Sequence, residues 1–123
     1  MNIGVVRRVP ADEVDGVEGW DRLTNEPELR GIEAIRNESE GPWQWSVTVW
    51  AMEFVREDPL EQELRAAIAG ALARVPGVTR VAEEDREVWV VDGVPSGEAL
   101  VEAAAGAVDA LVDRVRIYVN NLS

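Results

Sequence analysis

Chemistry in this chain falls to carboxylates, arginines and tryptophans, because the other reactive side chains are missing. The 123 residues include no cysteine and no histidine, and all twelve basic residues are arginine. Without histidine there is no Ser-His-Asp triad, no imidazole metal ligand and no switch near neutral pH. Without lysine there is no Schiff base and no P-loop lysine. Without cysteine there is no thiol nucleophile and no thiolate zinc site. GVPSG, at 93–97, is the nearest approach to a phosphate loop; it is too short and carries a proline inside. No catalytic constellation, cofactor or metal is therefore expected. Two carboxylate groups remain. Glu83, Glu84 and Asp85 fall at a predicted hairpin turn, where solvated charge is normal. Glu53 is the candidate functional carboxylate, because it falls on the core-facing series of a predicted strand. A lone buried carboxylate is costly, so its ordinary reading is a strand end reaching solvent or an arginine.

That strand is the stretch the other elements must be arranged around. Trp43–Val55 (WQWSVTVWAMEFV) is the longest β-prone run and holds three of the five tryptophans. Side chains alternate across a strand. The odd series is apolar from Trp43 to Ala51, then reaches Glu53. The even series begins Gln44, Ser46, Thr48 and becomes apolar at Trp50, Met52 and Phe54. A β-bulge near Trp50 would slip the alternation and keep one buried face. A straight strand instead places Trp50, Met52 and Phe54 on a second apolar face, and that is the expectation carried forward.

Asp58–Val75 predicts a helix. Asp58 is a good N-cap, Pro59 suits the first turn, Glu61 follows three residues after the cap, and Pro76–Gly77 stops the run. Leu60, Leu64, Ile68, Leu72 and Val75 make one apolar stripe. Val78–Ala82 and Glu87–Val91 predict two strands, and Leu100 to Val115 the stripe of a second helix. The tail, without Gly or Pro, predicts continuation of that helix to about Val119 rather than a closing strand over RIYVN. The lead, Met1–Pro42, is harder to read. Ile3–Val9 suggests a strand, and Ala11–Leu23 has near-helical spacing weakened by Gly16 and Gly19. Asn25–Glu28 suggests a turn. Leu29–Arg36 is expected as a strand that hairpins through Asn37–Pro42 onto Trp43–Trp50.

The expected fold class is α+β. A core over residues 43–123, in the order strand, helix, strand, strand, helix, is similar to the ferredoxin-like split βαβ sandwich, an antiparallel sheet with two helices on one face. Residues 1–42 would be an extension packed on that single domain. The likeness is to a fold, which hosts many functions and selects none.

A one-sided helix layer leaves a sheet face open, and Trp50, Met52, Phe54 and Trp89 are the expected interaction surface on it. The candidate covers are the lead itself, a second copy giving a homodimer, and a ligand. Twenty-four acids against twelve bases give a net charge of −12. Such a surface repels nucleic acid and anionic membranes and suits a basic protein partner. No apolar run of membrane-spanning length is present, and the opening residues are too weakly apolar for a secretory signal, so the expected location is the cytoplasm. The expected function is a non-enzymatic acidic interaction domain. The alternatives are an immunity- or antitoxin-like inhibitor of a basic protein and a cofactor-free small-molecule enzyme or binding protein.

Overall fold

The computed structural model describes residues 14–37, 43–93 and 96–120. The expected strand Ile3–Val9 and most of the loop Asn37–Pro42 lie outside them. Seven main elements follow in order: α1 (Val14–Asn25), β1 (Ile32–Arg36), β2 (Gln44–Val49), α2 (Glu61–Ala73), β3 (Arg80–Asp85), β4 (Val88–Asp92) and α3 (Gly97–Asn120). Two 3-10 turns, Pro27–Arg30 and Trp50–Val55, join them. The class is α+β, with a four-stranded sheet in the order β1-β2-β4-β3, every neighbour antiparallel. No described helix is long and apolar enough to cross a membrane.

Register fixes which residues share a face. Val47 lies between Ala34 on β1 and Trp89 on β4, and Val91 lies between Trp45 and Val81. These side chains point to one side. Val47, Val49, Trp89 and Val91 are fully buried there with Leu64, Ile68 and Leu72 of α2 and Leu100, Ala104, Val108 and Val112 of α3, in one continuous cluster. The i, i+4 stripes read in the sequence are the faces these helices bury. The opposite side of the sheet carries Glu33, Ile35, Ser46, Thr48, Val88 and Val90.

The expected long strand is shorter than its sequence suggested. β2 ends at Val49, and Trp50–Val55 winds into the 3-10 turn. The turn breaks the two-residue period: Ala51, Met52 and Val55 are all fully buried. Neither a bulge nor a straight strand describes it. The reason lies in α1, which docks on this turn and on α3 and buries Trp20 and Leu23. A Cβ on Gly19 would overlap the Phe54 carbonyl oxygen, so α1 reaches the turn only with glycine at that position. Arg30 then fastens the far end of α1. Its Nε and Nη2 donate to the carbonyls of Leu23 and Thr24 at 2.6 and 3.2 Å, and its Nη1 meets Asp109 of α3 at 2.9 Å. Cations commonly satisfy the last carbonyls of a helix this way.

Gly19→Ala is expected to destabilise the protein although alanine is the better helix former by about 1 kcal/mol. The forced displacement costs about 1–3 kcal/mol beyond that gain. Urea denaturation reads it as a lower midpoint; an unchanged or raised midpoint would mean that α1 does not dock through Gly19.

Candidate functional site

The structure separates the four aromatic and sulfur side chains expected to share a surface. Met52 and Trp89 are fully buried in the core. Trp89 lies on the helix side of β4 because its partners across the sheet are Val47 and Glu83. Neither offers surface, which corrects the expected stripe. Phe54 is half-buried, packs against the core and lies 5.1 Å beneath the Arg22 guanidinium. Trp50 alone stays well exposed, at 39%. Glu53 is also exposed, not core-facing: the strand has ended four residues before it, so its parity no longer places it inside.

Trp50 and Ile35 are the two exposed large hydrophobics among the described residues, Ile35 at 53%. Ile35 alternates with the core-facing Ala34 on β1 and so stands on the side away from the helices. The Trp50 indole lies 3.3 Å from where a Cβ on Gly31 would point, and the Trp50 backbone N–H donates to the Gly31 carbonyl at 3.2 Å. Gly31 is extended and immediately precedes the core-facing Ile32, which puts the indole at the rim of that same side, away from the described helices. Asn37, Gln44, Ser46 and Asp92 border it with a chain of side-chain hydrogen bonds of 2.9–3.3 Å. Ile35 was missed in the sequence. The signal was available: adjacent apolar residues on a two-sided strand cannot both face the core.

On the helix side, two further features stand out. The first is an arginine held in a carboxylate fork between α2 and the β3–β4 hairpin. Arg65 Nη2 meets Glu61 Oε2 at 2.8 Å, and Nη1 meets Glu83 Oε1 at 3.0 Å and the Arg86 carbonyl at 2.9 Å. Its guanidinium lies 5.9 Å from the Trp89 ring centre. Glu61 uses its other oxygen to accept the Glu57 N–H at 2.9 Å, and this fixes Glu57 at a φ of 65°. The side chains of Arg65 and Glu61 are only 14% and 11% exposed. Burial alone would push the Glu61 carboxyl up. The Glu57 N–H, the Arg65 hydrogen bond and the charges of Arg65 and Arg86 outweigh it and hold Glu61 below the ordinary value of 4.5. Burial likewise works against the Arg65 charge, and its bonds and charge pairing with Glu83 and Glu61 raise its pKa despite that. The i, i+4 spacing of Glu61 and Arg65 was legible in the sequence; the reach of Arg65 to Glu83 was not. This cluster ties the helix to the sheet and leaves the arginine fully engaged. Among the described residues no group of three or more metal-ligating side chains is placed to hold an ion.

The second feature is an open groove of about 460 Å³ between β1 and the first turns of α3, lined by Ala34, Trp45, Gly97, Glu98, Val101 and Glu102. The Trp45 ring abuts the start of α3, three of its atoms 2.7–3.1 Å from where a Cβ on Gly97 would stand. No family model, no curated protein and no solved structure matches this chain.

The Glu61 geometry predicts a pH dependence with a definite sign. The folded carboxyl titrates below its unfolded value, so its contribution is present above 4.5 and is lost as pH falls through the lowered folded value. Glu61→Gln is expected to cost about 1 kcal/mol at neutral pH. The gap between variant and wild type should close as pH falls below 4.5, read from urea midpoints. A gap independent of pH would mean that the carboxylate charge does not stabilise the fold.

Proposed function

We propose that this protein is a non-enzymatic interaction domain that takes a basic protein partner on the β1–β2 side of the sheet face that no described helix covers. The observation that carries the reading is the placement of Trp50 and Ile35. Both stand out from the face that no described helix covers, beside the polar rim of Asn37, Ser46 and Gln44. Exposed tryptophan supplies large contact area and is enriched where binding energy concentrates. The net charge of −12 sets the partner's sign. A second copy of the chain carries the same charge and is repelled, whereas a basic surface is steered in. A homodimer on this face is therefore the weaker form of the reading, and an immunity-like inhibitor of a basic protein is one specific form of the stronger one.

The scaffold reading belongs to the same proposal. With β2, α2, β3, β4 and α3 in this order, and β4 between β2 and β3, the sheet supports a ferredoxin-like split βαβ arrangement. In that reading β1, from the N-terminal side, occupies the place beside β2 that a C-terminal closing strand holds in the usual order. The fold does not select the function.

The double variant Trp50→Glu/Ile35→Glu, compared with wild type in capture from cells of the source organism, tests the proposal. A basic protein retained at low salt by wild type, released at high salt and lost to the double variant is the expected result. Identical capture by both proteins would overturn it. A concentration-dependent dimer in light scattering, abolished by the same substitutions, would replace the basic partner with a second copy.

A further inference from the structure

Two exposed apolar side chains on one sheet face admit partners of many shapes; the carboxylate between them admits fewer. Gly31, Glu33 and Ile35 alternate along the chain with Ile32 and Ala34, which pack toward the core. The three therefore lie on the side away from the described helices. The Trp50 indole rests against Gly31, so the face runs tryptophan, glutamate, isoleucine along the line of β1. Neighbours on that line are two residues apart, about 6.6 Å. Glu33 is exposed and makes no ion pair among the described residues.

The floor beside that line is low. Across the sheet Glu33 is followed by Thr48 and Val88, and Ile35 by Ser46, Val90 and Ala82, none larger than valine. A rod can therefore lie along β1 against the taller Trp50 and Ile35. Backbone chemistry decides between an extended rod and a helical one. An extended segment laid flat on a sheet face would set its N–H and carbonyl groups against side chains and leave them unpaired. A helix satisfies its own, and a helix layer is the ordinary cover of a sheet face. Helical residues i, i+4 and i+8 stand about 6 Å apart along the axis and drift by about 40° per step. That spacing follows the β1 line, and all three side chains stay on one face of the helix. Glu33 sets the middle one: its carboxylate loses water when the two apolar contacts close around it, and only a cation replaces what is lost.

We infer that the partner presents an amphipathic helix laid along β1, with apolar residues at i and i+8 against Trp50 and Ile35 and a Lys or Arg at i+4 on Glu33. Helices that dock on apolar surfaces are read through spaced anchors of this kind. The inference rests on the interaction reading above and adds the partner's shape and the position of its charge.

The probe is a synthetic alanine- and glutamine-based peptide of about 20 residues, long enough to be helical in water. It carries leucine at i and i+8 and arginine at i+4. One control has glutamate at i+4, and a second has proline there to break the helix. Each is titrated into the full chain and followed by the NMR signals of the Ile35 methyls and the Trp50 indole N–H. The arginine peptide should shift both signals, and the proline peptide should bind at least about tenfold more weakly. Trp50→Ala should weaken the arginine peptide about tenfold or more. Glu33→Arg should weaken it about threefold and tighten the glutamate peptide by a similar factor, the scale of one exposed ion pair. A merely structural role of Glu33 would move both peptides the same way and would overturn the assignment. Absence of binding, or equal binding of the proline peptide, would also overturn it. So would contacts between Ile35 and the chain's own residues 1–9 in the free protein, or concentration-dependent shifts of the free protein, which give the face to the lead or to a second copy. The two readings fail separately. A natural partner whose capture needs Trp50 and Ile35 but is indifferent to Glu33→Arg would uphold the interaction domain and remove the helix.

Discussion

Burial of Trp89 is the constraint on which the rest of this structure depends. Its ring lies mid-sheet on the helix side, across from Val47 and Glu83, with no solvent exposure. Removing about 200 Å² of indole from water at roughly 25 cal/mol/Å² is worth about 5 kcal/mol. The indole N–H has no hydrogen-bond partner among the described residues. That omission costs about 1–3 kcal/mol, so burial still wins. A side chain this large on β4 sets the height at which α2 can pass. The small residues Ala66 and Ala69 face the space above the ring, and Arg65 closes its mouth. The carboxylate fork around Arg65 follows from that position: a guanidinium this far from water needs its counter-charges within reach, and Glu61 and Glu83 come from the two elements it bridges.

The exit from β2 is the second determinant. Had the strand run on, Met52 and Phe54 would have needed a cover on the far side of the sheet. The 3-10 turn redirects the chain so that Ala51, Met52 and Val55 enter the same core as Val47 and Val49. α1 then seals the turn from outside, with Trp20 and Leu23 filling and Gly19 allowing contact. One apolar stretch is thus divided between a strand and a turn, and of its apolar side chains Trp50, at the junction, is the one left well exposed.

What was legible in the sequence was what a single period determines. The stripes of α2 and α3 carry i, i+4 spacing over several turns, and their buried faces could be named residue by residue. β1 and β2 could be paired from the loop between them. The turn at Trp50–Val55 could not be read, because it contains no glycine or proline to mark the end of β2 and its residue types favour a strand. Gly16 and Gly19 weaken the helical signal of α1, since propensity sees what glycine costs a helix and not the close approach it permits. For the candidate surface, Trp50 was named and its companions were not. The direction of Met52 depended on the unread turn. The face of Trp89 depended on its partner across the sheet, which a one-strand pattern does not supply. Ile35 entered only when β1 acquired a register.

Charge is sorted by the same architecture. Several arginines are engaged in fastening elements to one another: Arg30 joins α1 to α3 through Asp109, Arg65 joins α2 to β3 through Glu83, and Arg114 joins α3 to α2 through Glu63. Each contact neutralises one acid at a junction. Because acids outnumber bases two to one, the unpaired remainder is carboxylate, and it stands on outward positions such as Glu33, Glu53, Glu98 and Glu102. The long-range field of the molecule is therefore negative while its internal ties are neutral. Such a field reaches about 8–10 Å at physiological salt, far enough to orient an approaching surface but too short to hold it. Contact at shorter range falls to apolar groups, and among the described residues the exposed large ones are Ile35 and Trp50.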